Sequence, residues 1–174
     1  MKWAGAAGTV ADMPLMKRSR ARILAVQALC AFDAQGEAFA SALDGFLHDR
    51  ANYADLGWKR QPEPALLDFA RELATGTWQQ RDRYDELLRQ NAGGWPLERM
   101  QPVDRNILRL GLHELLECPD TPFAVVLDEA IELAHLFGGA ESPAFVNGVL
   151  DGLRRKLPAT VGESPPPSAA ESSG

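Results

Sequence analysis

The apolar residues of this chain recur at intervals of three and four almost from end to end, and no other feature restricts its fold as much. This spacing gathers apolar side chains on one face of a helix, whereas a half-buried strand requires strict alternation of apolar and polar residues. Such alternation never persists over the length of a strand in this sequence. The pattern therefore predicts an all-α fold, and we expect about six to seven helices.

Proline, glycine and capping residues mark where these helices begin and end. The fourth helix is apolar nearly all round, so we expect it to be the central, buried helix. Between the second and third helices, residues 51–64 form an expected loop from which Trp58 packs back onto the domain. Gly76 marks a bend or a close contact in the third helix. The expected helices cover about residues 18–34, 37–50, 64–88, 102–117, 122–137 and 142–157.

The two ends of the chain differ in composition from the part between them. Residues 1–16 are rich in Ala and Gly, and residues 158–174 are rich in Pro, Ser and Ala, so we expect both ends to be disordered. Met13 and Met16 are alternative start positions within the leader. Residues 17–157 then form a single helical domain, which is long enough to bury a hydrophobic core.

Two features favour a cytoplasmic protein without a membrane partner. The sequence has no run of eighteen apolar residues that could cross a bilayer, and its opening residues lack the apolar stretch of a signal peptide. Cys30 and Cys118 lie within apolar helical patterns. Their positions predict buried, reduced thiols rather than a disulfide or a metal-binding pair.

A basic cluster begins the first helix. Lys17, Arg18, Arg20 and Arg22 place four positive charges in six residues of a chain whose net charge is −6. Because residues 1–24 carry five basic and one acidic side chain, the remaining residues carry a net charge of −10. Cations oppose the dipole at a helix N-terminus, so the cluster indicates a docking surface for a polyanion such as RNA or DNA. An acidic protein partner and a merely solvated helical turn are the alternatives.

The sequence does not assemble an active site. Its three histidines fit no metal-binding spacing, and neither a CxxC nor an HExxH motif occurs. The glycine pairs lack the flanking strand and the Lys-Ser/Thr of a phosphate-binding loop. A solvated helix face explains the carboxylates of Asp128, Glu129 and Glu132 better than a cation site does. We therefore expect no enzymatic activity, no metal and no cofactor.

Four stretches of the chain form distinctive motifs. They are RSRARILAVQAL (18–29), PVDRNILRLGLHELL (102–116), DEAIELA (128–134) and FVNGVLD (145–151). In this order and spacing they resemble the NusB family of bacterial transcription antitermination factors. The resemblance covers about residues 17–157, and it is specific because several separate motifs carry it.

The resemblance implies an all-helical fold of two packed helical bundles and no catalysis. It implies that the partner is NusE, a ribosomal protein of the small subunit. It also implies that the heterodimer binds the boxA element of nascent ribosomal RNA leaders. Such a complex would promote processive transcription as part of an RNA polymerase antitermination complex.

By position, the resemblance implies roles for seven residues. The positions that match the RNA-contacting basic helix are Lys17, Arg18, Arg20 and Arg22, and those that match the NusE-facing surface are Asp104, Glu141 and Phe145.

Arg18 and Arg22 lie four residues apart on one helix face. We therefore expect that reversing both to Glu weakens boxA binding with little change in melting temperature.

Some questions stay open on the sequence alone. Cys30 stands where many relatives carry an aromatic residue, and Asn147 lies within the FVNG motif without an assigned contact. The sequence also leaves open whether the free protein dimerises. Two alternatives to an antitermination factor remain. One is an accessory domain of a ribosomal RNA modification system, because NusB-like domains also precede ribosomal RNA cytosine methyltransferases. The other is a protein-interaction module that does not bind RNA.

Overall fold

The computed structural model describes residues 17–35 and 39–157, which form eight α-helices and one short 3₁₀ turn without a strand. The prediction of an all-α fold is confirmed. The predicted leader, residues 1–16, and the predicted tail, residues 158–174, lie outside the described residues. The helices are α1 (Lys17–Gln35), α2 (Phe39–His48), α3 (Arg50–Ala54), α4 (Pro64–Gln79), α5 (Arg81–Asn91), α6 (Pro102–Glu117), α7 (Phe123–Phe137) and α8 (Ser142–Arg154), and the 3₁₀ turn spans Leu97–Arg99.

Helix α6 lies at the centre of the fold, as predicted from its apolar residues. Pro102 occupies its first turn, where the missing N–H group has no helical partner to lose. The helix packs on α1, α4, α5, α7 and α8, and it buries Ile107, Leu108, Leu110 and Leu112. Helices α1, α2 and α4 form one packed group, α7 and α8 form a second, and α6 contacts both. One core therefore joins the two helical groups.

The predicted loop over residues 51–64 is wrong at its beginning. Arg50–Ala54 form the short helix α3, and the Asp49 carboxylate caps it by accepting a hydrogen bond of 2.9 Å from the N–H of Ala51. A helix of five residues is too short to show apolar periodicity, so only the capping aspartate signals it in the sequence. The prediction for Trp58 is confirmed, since its side chain is buried against the domain.

The predicted third helix is in fact two helices. Helix α4 ends at Gln79 and α5 begins at Arg81, while Gln80 between them leaves helical geometry with φ −100° and ψ 8°. Together with α3, this break raises the number of helices above the expected six to seven. Gly76 is not the bend but a close contact, because a Cβ atom there would lie 2.4 Å from Cε1 of His113.

Replacing Gly76 with Ala should therefore lower the free energy of unfolding by about 1–3 kcal/mol, the usual cost of overpacking a core. The His113 ring cannot easily yield, because its Nδ1 lies 2.9 Å from the hydroxyl of Tyr84 in a hydrogen bond. Urea unfolding would measure the loss. Gly45→Ala is the matched control, since a Cβ at this position in α2 would contact nothing within 4 Å. A control that loses as much stability as Gly76→Ala would contradict the packing argument.

Candidate RNA interface and docking cleft

The exposed part of the basic cluster lies in the first turn of α1. Lys17 and Arg18 are both exposed, and the Lys17 Nζ atom forms an ion pair of 2.6 Å with Glu63. The Arg18 guanidinium lies over the ring of Phe69, 5.5 Å from its centroid, and forms no ion pair with any described residue. An arginine that stacks on an aromatic ring keeps its planar donors ordered and available. Arg18 is therefore placed to bind a phosphate or to stack on an unpaired base.

Arg20 is only half exposed. Its guanidinium lies over the indole of Trp58, 5.2 Å from the ring centroid, and its Nε atom is buried without a hydrogen bond among the described residues. The tryptophan belongs to the segment between α3 and α4. Arg20 thus connects the basic end of α1 to that segment, and only part of its side chain can reach a ligand.

Arg22 lies in the core rather than on the surface. Only 2% of the residue is exposed, and its Nε and Nη2 atoms donate hydrogen bonds of 2.9 and 2.7 Å to the two carboxylate oxygens of Glu114. Burial by itself lowers the pKa of Arg22, but the hydrogen bond and charge of Glu114 raise that pKa above its ordinary value overall. The guanidinium has no free surface for a phosphate. The structure thus replaces the expected RNA contact of Arg22 with a structural ion pair.

Glu129 takes part in the same arrangement. It accepts a hydrogen bond of 2.6 Å from the Ser19 hydroxyl, and its carboxylate lies 3.6 Å from Nη1 of Arg22. The sequence predicted that this residue lies on a solvated helix face, and this part of the prediction is wrong. Within residues 17–35 and 39–157, no group of three or more His, Cys, Asp or Glu side chains could hold a metal ion.

A cleft of about 860 Å³ opens where α1, the 3₁₀ turn, α6, α7 and α8 approach one another. Its lining includes Asp104, Glu141 and Phe145, the three residues for which the sequence predicted a partner-binding role. The structure therefore brings together residues that are up to 41 positions apart in the chain. Their role in binding stays a prediction. The other lining residues are Cys30, Ala34, Trp95, Arg99, Met100, Gln101, Pro102, Val103, Phe137, Gly139, Ser142 and Ala144.

Two aromatic side chains stand at this cleft. Trp95 is 54% exposed, the largest value among the bulky apolar residues described, and its ring centroid lies 6.3 Å from that of the half-buried Phe145. No sequence motif described above includes Trp95. Its signal was an aromatic residue directly after Gly93 and Gly94, whose φ angles of 61° and 80° favour glycine and turn the chain outward. An exposed tryptophan beside a half-buried phenylalanine is typical of an anchor for a partner.

Asp104 supplies a buried acceptor at the same cleft. Only 5% of the residue is exposed, and burial raises the pKa of its carboxyl group, an effect that a hydrogen bond with Ser142 opposes. Its Oδ1 atom is buried and has no hydrogen-bond partner among the described residues. An unpaired buried carboxylate oxygen is costly, so a donor from a binding partner would stabilise it.

The two residues without an assigned role lie in different surroundings. Cys30 borders the cleft but is buried as a free thiol, and burial raises its pKa to about 12. It therefore stays protonated at neutral pH, in agreement with the prediction of a reduced, buried cysteine. Asn147 is exposed and does not line the cleft.

Among the helices of the described segments, none is both long and apolar enough to cross a membrane.

The fold and the two surfaces define an all-helical protein with a basic helix end and a separate acidic, aromatic cleft. The model of the NusB family matches residues 19–155. The chain is 38% identical over 135 residues to the transcription antitermination protein NusB of Carboxydothermus hydrogenoformans, an alignment that covers 78% of this chain and 90% of that protein. It is 40% identical over 151 residues to that of Symbiobacterium thermophilum, covering 84% and 95%. The chain belongs to the NusB family.

Solved structures agree with this assignment. A structure of NusB from T. maritima matches with a TM-score of 0.67 and 30% identity, over 83% of this chain and 94% of the other. A structure of the antitermination factors NusB and NusE in complex with dsRNA matches with a TM-score of 0.66 over 81% of this chain and 98% of the matched chain. At 22% identity the second match shows a shared fold. The resemblance inferred from the sequence motifs is confirmed.

Proposed function

We propose that this protein is an RNA-binding transcription antitermination factor that acts with NusE on the boxA element of ribosomal RNA operon leaders. The observation that carries the proposal is the convergence of Asp104, Glu141 and Phe145 on one cleft. The names of the relatives, transcription antitermination proteins that align along most of their length, support the same function. The proposal assigns the protein no catalytic step and places it in the cytoplasm, where nascent RNA is made in bacteria.

The chemistry of the cleft fits a basic ribosomal protein. Glu141 is exposed at the start of α8 and can pair with a Lys or Arg of the partner, while the carboxylate of Asp104 lies buried in the wall of the same cleft and adds negative charge there. Trp95 and Phe145 offer apolar surface beside these charges. Asp104 and Glu141 thus steer a cationic partner, while the aromatic side chains supply the buried area that holds it.

The basic end of α1 fits RNA. Arg18 is exposed and stacked on Phe69, and Lys17 lies beside it in the same turn. Cationic side chains bind phosphates through a charge effect that weakens as salt is added, and arginine planes also stack on unpaired bases. Since so few cations of this helix are free, we expect the protein alone to bind RNA weakly. NusE would then contribute the rest of the RNA surface.

The proposal is tested by titrating the protein, with and without NusE, into labelled boxA RNA. Fluorescence anisotropy of the RNA reports binding. Single-stranded boxA, a scrambled strand and a boxA duplex should be compared at several salt concentrations. We expect the protein with NusE to bind single-stranded boxA more tightly than the scrambled strand and more tightly than either protein alone. Equal affinity for boxA and the scrambled strand would contradict a specific antitermination role. A stable NusE complex that fails to bind any RNA would instead favour a protein-interaction module.

The variant Arg18→Glu should weaken boxA binding by about tenfold or more, because it replaces an exposed phosphate-binding cation with an anion. The melting temperature should change little, since Arg18 forms no ion pair with a described residue and its exposed contact with Phe69 contributes only about 0.5–1 kcal/mol. The same anisotropy titration, together with a thermal melt, would measure both quantities. Unchanged affinity at moderate salt would exclude this end of α1 from the RNA surface.

A further inference from the structure

The segment that joins α3 to α4 lies against the basic end of α1. Near its start, the ring of Trp58 lies 5.2 Å beneath the guanidinium of Arg20. Near its end, the carboxylate of Glu63 forms an ion pair of 2.6 Å with the Nζ atom of Lys17. Residues 58–63 are therefore attached at two points to the first turns of a helix about 40 positions earlier in the chain.

The start of this segment is held in a defined position. The indole of Trp58 stacks on Tyr53 of α3, with ring centroids 6.3 Å apart and planes 16° from parallel. The backbone N–H of Trp58 donates a hydrogen bond of 2.9 Å to the carbonyl oxygen of Tyr53, and Gly57 allows this turn with a φ of 74°. The two residues that follow Trp58 are thus presented from a rigid turn.

These residues are Lys59 and Arg60, and both are exposed. Neither forms an ion pair with any residue of the described ranges. The cations of α1 are more committed, since Lys17 binds Glu63 and Arg22 binds Glu114. On the described part of this face, free positive charge is therefore contributed as much by the α3–α4 segment as by the helix.

We propose that Lys59 and Arg60 bind phosphates of the same RNA strand that Arg18 contacts, so that the RNA surface extends from α1 onto the α3–α4 segment. This inference rests on the proposed function. Two adjacent, unpaired cations repel each other, and a polyanion that lies across both relieves this repulsion. The contact between Arg20 and Trp58 joins the two parts of the surface. No sequence pattern indicates this surface, because α1 and the α3–α4 segment are separate regions of the chain.

The stacked arginines favour RNA over an acidic protein as the ligand. The guanidinium of Arg18 lies on Phe69 and that of Arg20 on Trp58, and Lys59 and Arg60 follow Trp58 directly in the chain. A single strand offers both groups that this combination suits, phosphates for the charges and unpaired bases for the planes. An acidic peptide offers only the charges.

The test uses the full chain bound to NusE and compares Lys59→Gln/Arg60→Gln with the wild type on single-stranded boxA. Each phosphate contact contributes about 0.7 to the slope of log affinity against log salt for a single strand. The double variant should therefore lose about 1.4 from that slope, and its Kd at moderate salt should rise roughly tenfold. The charge-retaining variant Lys59→Arg/Arg60→Lys should restore both values, while NusE affinity and melting temperature stay unchanged in each case.

Arg155→Gln/Lys156→Gln is the charge control, because it removes two positive charges from exposed residues directly after α8, a helix that packs on α5, α6 and α7. Arg155 pairs with Asp151, so Lys156→Gln by itself is added as the control for an unpaired cation. Both controls should retain wild-type affinity and slope. A loop variant that binds like the wild type, or a control that loses as much affinity, would overturn the inference and leave the proposed function standing. A wild-type complex that binds no RNA would overturn both.

Discussion

Glu114→Ala should lower the free energy of unfolding by about 3–5 kcal/mol, the largest loss that we expect from any single substitution of a charged residue discussed above. The substitution leaves the Arg22 guanidinium buried without its carboxylate, and Glu129 is too distant at 3.6 Å to replace the two hydrogen bonds. Urea unfolding followed by circular dichroism would measure the change. The control Glu117→Ala removes an exposed carboxylate that pairs with Arg83, so it should cost less than about 1 kcal/mol.

A double variant tests whether the lost stability comes from the unpaired charge of Arg22 or from any truncation at position 114. Replacing both partners with apolar residues of similar size, Arg22→Met with Glu114→Leu, removes the unpaired charge and should recover most of the lost stability. If Glu114→Ala costs no more than Glu117→Ala, Arg22 is hydrated in solution and its direct contact with RNA becomes tenable again. This result would also support the expectation that reversing Arg18 and Arg22 together changes the melting temperature little.

The residues of α6 show why its bounds could be predicted from the sequence. Pro102 marks its first turn, and apolar residues then recur at helical spacing from Val103 to Leu116. Local signals of this kind act within one or two turns, so the sequence contains all of them. The break at Gln80 carries no Gly or Pro, so no local signal of this kind marks it in the sequence.

Arg22 shows what the sequence could not reveal. Its partner Glu114 lies 92 positions away, and no local pattern announces this contact. One signal was present, since Arg22 lies four residues before Val26 and therefore shares its helix face with the buried stripe. Asp104, Glu141 and Phe145 converge on one cleft for the same kind of reason, because only the folded chain brings α6 and α8 together.

Helix α6 also links the two surfaces. Asp104 lies in its first turn at the cleft, and Glu114 lies near its end beneath the basic end of α1. Ten residues of α-helix separate them by about 15 Å. Because α6 is buried and packed on both helical groups, this separation is set by a rigid element. Under the proposed function, the partner and the RNA would therefore occupy separate surfaces.

Trp95→Ala and Phe145→Ala should each weaken NusE binding by about 30-fold, which corresponds to about 2 kcal/mol. Both side chains offer apolar area at the cleft. Their truncation removes this area, and it also admits water to the polar contacts that a partner would make beside them. Isothermal titration calorimetry with NusE would measure the affinities. Since the two rings lie 6.3 Å apart, the double variant should lose less than the sum of the single losses.

Val125→Ala supplies the control for this prediction. Val125 is the other bulky apolar residue that the described structure exposes, at 41%, and it lies on α7 outside the cleft. Its truncation should leave NusE affinity unchanged, and the melting temperatures of Trp95→Ala and Val125→Ala should stay close to that of the wild type. Phe145 is half-buried and packs against the core, so Phe145→Ala should also lower the melting temperature. If Trp95→Ala binds NusE as tightly as Val125→Ala does, the aromatic pair is not the anchor. Binding would then depend on Asp104 and Glu141 alone and should fall steeply as salt is added.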